Sequence, residues 1–178
     1  MKKLNKPICL KPLTLWSQIN WTQAHDFVSS IQNRLVIAAK RGDIEECLRL
    51  QRQLLRSFSA RALAVRKVLM NRGKRTSGVD KQLWTRDDQK TQAVHDLKHL
   101  IKYKALPVKR QWIDKPGKKE KRPLGIPTLF DRAVQALYLQ VLDPIVETKS
   151  DPRSFGFRKY RSVRDAAAYI KLVCGSMY

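Results

Sequence analysis

Apolar residues recur at three- and four-residue spacing over most of the chain, the pattern of helices that each bury one face. Ala24, Phe27, Val28, Ile31, Leu35, Ala38 and Ala39 predict a first helix, capped by Thr22 and ended by Gly42. Asp43 and Glu46 make a capping-box start for a second. In it Ile44, Cys47, Leu48, Leu55, Phe58, Ala62, Val65 and Leu69 line one side until Asn71 and Gly73 stop it. The short link between them predicts two antiparallel helices, a helical hairpin. A third helix follows the cap Thr85, with Ala93, Val94, Leu97, Leu100 and Ile101 on its apolar side. Thr128 caps a fourth, paired with Asp131, whose Ala133, Val134, Leu137, Val141, Leu142 and Ile145 are expected inside and whose Pro144 is expected to kink or end it. Ser162 and Asp165 open the last helix. Ahead of them all, Leu15, Trp16, Ile19 and Trp21 gather large apolar groups, which read as a staple onto the first helix, with stacking on RNA as the alternative.

The period changes after residue 102. Residues 107–113 and 122–126 read as two strands around a turn at Lys115, Pro116, Gly117 and Lys118, a β-hairpin. The expected fold class is therefore α+β, mostly helical. Charge makes this hairpin distinctive: its tip and return strand carry Lys115, Lys118, Lys119, Lys121 and Arg122 against Asp114 and Glu120. Such a tip repels itself in isolation and calls for a polyanion.

Composition agrees. With 37 basic and 15 acidic residues the formal charge is +22 on 178 residues, which favours nucleic acid or an anionic membrane surface as partner. No apolar run approaches the roughly 20 residues that cross a bilayer, and residues 1–13, broken by Pro7 and Pro12, lack the apolar centre of a secretory signal. A soluble, unexported protein with no membrane partner is expected. Cys9, Cys47 and Cys174 share no metal-like spacing and read as ordinary thiols. His95 and His99 stand four apart as in a zinc helix, with Asp in place of Glu, but both fall opposite the apolar face and no third ligand is apparent, so no metal site is expected.

Two stretches carry further candidate chemistry. Residues 47–79 hold nine basic residues and no acid. Arg49, Arg52, Arg56 and Lys67 fall on one flank of the second helix, a stripe that gives up i,i+4 ion pairs and so reads as phosphate-binding, with Lys74 and Arg75 continuing it into the connector. Residues 151–162, DPRSFGFRKYRS, interleave Arg153, Arg158, Lys159 and Arg161 with Phe155, Phe157 and Tyr160, as single-stranded nucleic acid requires. The rival reading makes Phe155 and Phe157 buried plugs around a tight turn at Gly156.

Taken together, NRGKRTSGVD at 71–80, RPLGIPT at 122–128, Asp131-Arg132-Ala133, Gln135-Ala136-Leu137 and SFGFR at 154–158 with Arg161-Ser162 resemble the group II intron-encoded reverse transcriptases, also called maturases. Trp16, the Ile-Asn-Trp at 19–21, Leu50-Gln51, Leu54-Leu55, Ser57, Ala60 and Ala64-Val65-Arg66 belong to the same match, which runs in order from about residue 15 to 170. The resemblance implies an N-terminal arm at 1–21, a helical N-terminal reverse transcriptase domain at 22–102, and the fingers hairpin with a truncated start of the palm at 103–178 of a right-hand polymerase. It implies that Lys115 and Arg122 hold the incoming nucleotide triphosphate, and that Arg49, Arg52, Arg56, Lys67, Lys74, Arg75, Lys118, Lys119, Lys121, Arg153, Arg158 and Arg161 bind RNA, either group II intron or template-primer. Ile113-Asp114-Lys115 stands where the family usually has Ile-Pro-Lys. The family's palm strand with its aspartate is not matched by KLVCGSMY at 171–178, so the resemblance implies no catalytic carboxylate and no cofactor in this chain, Mg2+ being expected only in a complete palm. It further implies a palm-containing partner chain, self-association through the face a palm would cover, and a bacterial cytoplasm, chloroplast stroma or mitochondrial matrix.

Overall fold

A computed structural model describes residues 15–100 and 103–175. The expectations resting on the arm up to residue 14, on Ile101 and on the last three residues lie outside them. Six helices and one two-stranded antiparallel hairpin follow in order. They are α1 (Trp21–Arg41), α2 (Ile44–Arg56), α3 (Phe58–Met70), α4 (Asp87–Asp96), β1 (Lys109–Asp114), β2 (Lys121–Ile126), α5 (Leu129–Lys149) and α6 (Val163–Cys174). Short 3-10 turns at Trp16–Gln18 and Arg72–Arg75 precede α1 and follow α3. The protein is α+β and mostly helical.

The expected second helix is two. Ser57 sits in extended conformation between α2 and α3, donates its hydroxyl to the Leu54 carbonyl at 2.8 Å and accepts the Ala60 N–H at 3.1 Å. One side chain thus ends one helix and caps the next. The break also shifts the phase: Leu50 and Leu54 are fully buried, whereas Ile44 and Leu48, expected inside, are exposed. Two other caps differ from expectation. Asn20 rather than Thr22 accepts from Gln23 N–H, because the helix already begins at Trp21, and Phe27 on its flank is exposed. At α4 the Gln89 carbonyl oxygen reaches back to the N–H groups of Thr85 and Arg86, so the cap lies one residue later than Thr85.

α3 is the central helix. Ala60, Arg61, Ala62, Leu63, Ala64, Val65 and Val68 are all buried, and α3 packs against both α1 and α5, which also pack on each other. The core gathers Val28, Ile31 and Leu35 of α1, Leu50 and Leu54, Val94 and Leu97, and Leu129, Ala133, Leu137 and Val141 of α5 into one cluster that crosses residue 102 without a seam. Leu142, expected inside, is exposed. Buried Arg61 donates to the carbonyls of Ser57 and Val94, at 3.2 and 3.1 Å, and its burial pulls the guanidinium pKa down.

Pro144 neither ends nor breaks α5, which runs on to Lys149. Proline removes the N–H that would bond the Gln140 carbonyl one turn back. That carbonyl instead accepts the Gln32 side-chain amide of α1 at 2.8 Å, while the Gln140 amide donates to the Ala60 carbonyl of α3 at 3.0 Å. The proline's missing bond therefore becomes the joint of three helices. Thr128 and Ser162 cap α5 and α6 as expected, with Asp131 and Asp165 as their partners.

Candidate nucleic-acid interface

The hairpin forms where the two strand-like runs and the turn between them predict it. Lys118 N–H returns to the Lys115 carbonyl at 3.1 Å across Pro116 and Gly117, and Gly117 takes the left-handed conformation, φ +71°, that the second corner of this turn demands. Register pairs Asp114 with Lys121, Ile113 with Arg122 and Lys109 with Ile126. Every strand residue except Ile113 and Ile126 is exposed, so the hairpin offers both faces to solvent. Seven cations stand on it against two carboxylates. The carboxylates take Lys115, to Glu120 at 3.0 Å, and Lys121, to Asp114 at 3.5 Å. Lys109, Arg110, Lys118, Lys119 and Arg122 pair with no described acid. One more rung, Lys115 N–H to the Glu120 carbonyl, continues the ladder to the tip. Strand alternation then sets Lys115 and Arg122 on the same face, as diagonal neighbours.

The connector after α3 is tied to the root of this hairpin. Arg132 of α5 donates to the carbonyls of Gly73, Thr76 and Pro127 at 2.7 to 3.0 Å. Gly78 passes so close to Thr128 that a Cβ there would lie 2.7 Å from its backbone, so only glycine fits. Asp131, buried beneath, accepts from the Thr128 hydroxyl at 2.5 Å and from the Tyr103 hydroxyl. Burial first, and then this carboxylate, push the Tyr103 phenol well above its ordinary range. Lys74 and Arg75 are thereby held, exposed, on a fixed loop.

The basic stripe divides. Arg49, Arg52 and Arg56 stand exposed on α2, but Lys67 belongs to α3, beyond the Ser57 break, so the four do not share one helix face. Arg49 closes on Glu46 through two 2.5 Å bonds, and Glu46 also holds Arg34 at 3.2 Å. Arg49, chiefly through its hydrogen bonds, holds the Glu46 carboxyl below the usual value.

In the 151–162 loop the two readings of the phenylalanines split between them. Phe155 is half-buried against Tyr169, centroids 5.9 Å apart, with the Arg161 guanidinium 5.6 Å from its ring centre. Phe157 and Tyr160 are fully exposed, and both take left-handed backbone conformations, φ +59° and +60°, which are rare for aromatic residues. Arg158 is committed within the fold: it clasps Glu147 at 2.5 and 2.8 Å and donates to the carbonyls of Asp151 and Ser154. Arg161 donates to the Pro152 carbonyl at 2.6 Å and reaches Glu147 at 3.4 Å. Lys159 is paired with Asp143. Arg153, with Phe157 and Tyr160, is what projects.

Sequence reasoning passed over three cations that the structure places at this surface. Lys109 and Arg110 occupy the outgoing strand, inside the run that predicts it. Arg66 lies 4.5 Å over the Trp21 ring, an arrangement between residues 45 apart in sequence that no local pattern announces.

Comparison with known proteins agrees with the resemblance. Residues 16–97 match the N-terminal domain of reverse transcriptase. Over 151 residues, 82% of the chain, the sequence is 36% identical to protein YkfC of Escherichia coli K12, of which it covers 39%. Over 126 residues, 69% of the chain, it is 33% identical to the group II intron-encoded protein LtrA of Lactococcus lactis subsp. cremoris, of which it covers 20%. The chain thus spans between a fifth and two fifths of the curated relatives it matches.

Proposed function

Because the chain belongs to the group II intron-encoded reverse transcriptases, whose N-terminal region it matches, we propose that it binds RNA, as structured intron or as template-primer, along a surface made of the hairpin, the connector and α2. The observation that carries this reading is the hairpin: an exposed two-stranded ribbon on which five cations pair with no described acid and Trp112 and Leu124 stand exposed beside them. A free two-stranded ribbon is marginal in water, and a phosphate backbone supplies the counter-charge it lacks. On this reading residues 22–102 are the helical N-terminal domain, and the hairpin belongs to the fingers of a right-hand polymerase. Arg49, Arg52, Arg56, Lys74, Arg75, Lys118, Lys119 and Lys121 of that surface meet phosphates, with Lys67 of α3 and Arg153 of the 151–162 loop as further contacts, and Arg158 and Arg161 serve by shaping the loop. The relatives' bacterial origins support a bacterial cytoplasm as the compartment.

The test is fluorescence anisotropy of a labelled intron-like RNA with the protein and with its Lys118→Gln, Lys119→Gln, Arg122→Gln variant. Affinity at least tenfold lower with an unchanged helical signal is expected, and equal affinity overturns the reading. A second reading rests on Lys115 and Arg122 sharing one hairpin face, the arrangement that would hold a triphosphate between them. There the chain is part of an RNA-directed DNA polymerase whose palm, with its Mg2+ and carboxylates, comes from a longer chain or a partner. Mixing with a palm-containing piece decides: nucleotide incorporation in the mixture alone supports it, and RNA binding without incorporation returns the account to a binding module.

A further inference from the structure

Between the N-terminal turn and the connector lies a cavity of about 420 Å3. Its wall draws on the Trp16–Gln18 turn, the end of α3, the Arg72–Arg75 turn, the stretch ahead of α4 and α4 itself. Two indoles, Trp16 and Trp84, and four cations, Arg66, Lys74, Arg75 and Lys90, line it, with apolar surface from Leu69, Met70 and Leu83 and no carboxylate. Lys90 is answered by Asp87 at 2.8 Å. Arg66, Lys74 and Arg75 pair with no described acid.

The wall is built rather than draped. Trp16 is held by its main-chain N–H, which donates to the buried Thr91 hydroxyl at 3.1 Å, and its ring packs edge-on against Trp21 at 4.8 Å, over which Arg66 is stacked. Both cavity indoles are half-buried, and both line the space. The connector carrying Lys74 and Arg75 is fastened by Arg132 to the Gly73 and Thr76 carbonyls.

The size falls within the range of about 300 to 1,000 Å3 usual for small-molecule sites. Aromatic walls beside unanswered cations suit a ligand that is flat and apolar at one end and anionic at the other. A neutral apolar ligand would desolvate the cations for nothing, and a paired duplex would offer phosphates while keeping its bases stacked out of reach. We propose that this cavity is a single-nucleotide site: it takes one unpaired nucleotide of a bound RNA, the base against Trp16 and Trp84, the phosphate on Arg66, Lys74 and Arg75. The proposal rests on the RNA-binding reading and assigns part of that binding to one pocket.

Indole N–H resonances of the four tryptophans, assigned by single Trp→Phe variants of the full chain, report on it, Trp16 and Trp84 for the cavity and Trp112 for the hairpin. Titration with 5′-AMP moves the Trp16 and Trp84 signals saturably. Ribose 5-phosphate binds about tenfold more weakly, since the base contributes through stacking. The Lys74→Gln, Arg75→Gln variant, altered at two exposed positions and so expected to fold, weakens AMP by about tenfold. Equal affinity for AMP and ribose 5-phosphate, or AMP shifts that spare both cavity indoles, overturns the assignment. A short single-stranded RNA that binds by anisotropy without moving either indole sinks this pocket and leaves the RNA reading standing; an RNA that does not bind at all sinks both.

Discussion

Arg132 makes four hydrogen bonds to three main-chain carbonyls on two separate segments, and it is the residue through which the connector and the hairpin root become one surface. A lysine cannot replace its planar fork. Arg132→Ala should lower stability by about 2 kcal/mol, since bonds from a charged donor are the strong ones, and should raise amide exchange at residues 73–78 before the core responds. Exchange rates there equal to wild type would show that the loop holds itself. Glu147 plays the corresponding part for the 151–162 loop. Its bonds to Arg158, and then to Arg161, hold its carboxyl below the ordinary 4.5, as Ser162 holds Asp165 below 3.8. Folded-state values below the unfolded ones mean stabilisation that is full above the ordinary carboxylate range and is lost as pH falls through the lowered values. Amide protection of the loop should therefore be constant from about pH 7 to about pH 5 and fall below about pH 4; protection unchanged at about pH 3 would remove Glu147 from this role. The caps at Thr128 and Ser162 were legible because each carries its partner three residues on. Arg132 was not, because its acceptors lie 56 and 59 residues away and are carbonyls, which every residue has.

At the scale of the element, the helices, the hairpin and its turn could be read from periodicity and from Pro116-Gly117. The division of α2 from α3 could not. A serine inside a run of apolar spacing reads as a helix residue unless its hydroxyl is known to cap, and assuming one helix carried the phase of α3 backward into α2. That error placed Ile44 and Leu48 inside and drew Lys67 into the α2 stripe. Ser57→Ala removes the cap of α3 and a bond to the last turn of α2, and should cost about 1 kcal/mol, read by urea denaturation. A change below a few tenths would mean that packing alone sets the break. Pro144 taught the opposite lesson. It does not end α5, and Gln32, from an element more than 100 residues earlier, takes the carbonyl that the proline leaves without its N–H.

Across the whole molecule, cations and apolar side chains share the surface, as Trp112 and Leu124 do with the cations of the hairpin. Among the described residues no helix is long and apolar enough to cross a membrane. Yet Leu142 and Val146 of α5, and Ile170 and Leu172 of α6, are exposed, and α6 buries no residue at all. Exposed apolar surface of this kind marks protein, membrane or ligand contacts. Self-association is the expected outcome here: sedimentation at rising protein concentration should show dimers or larger species that Leu142→Gln with Ile170→Gln abolishes, and a monomer at every concentration would contradict it. The cationic side carries the central claim, that these elements exist to hold a phosphate chain. Its most direct test is the affinity for single-stranded RNA measured against salt. The account predicts log K falling linearly with log salt, by about 0.7 for each phosphate neutralised, with a shallower slope once Lys118, Lys119 and Arg122 are replaced by Gln. A salt-independent affinity, or a slope that those replacements leave unchanged, would contradict it.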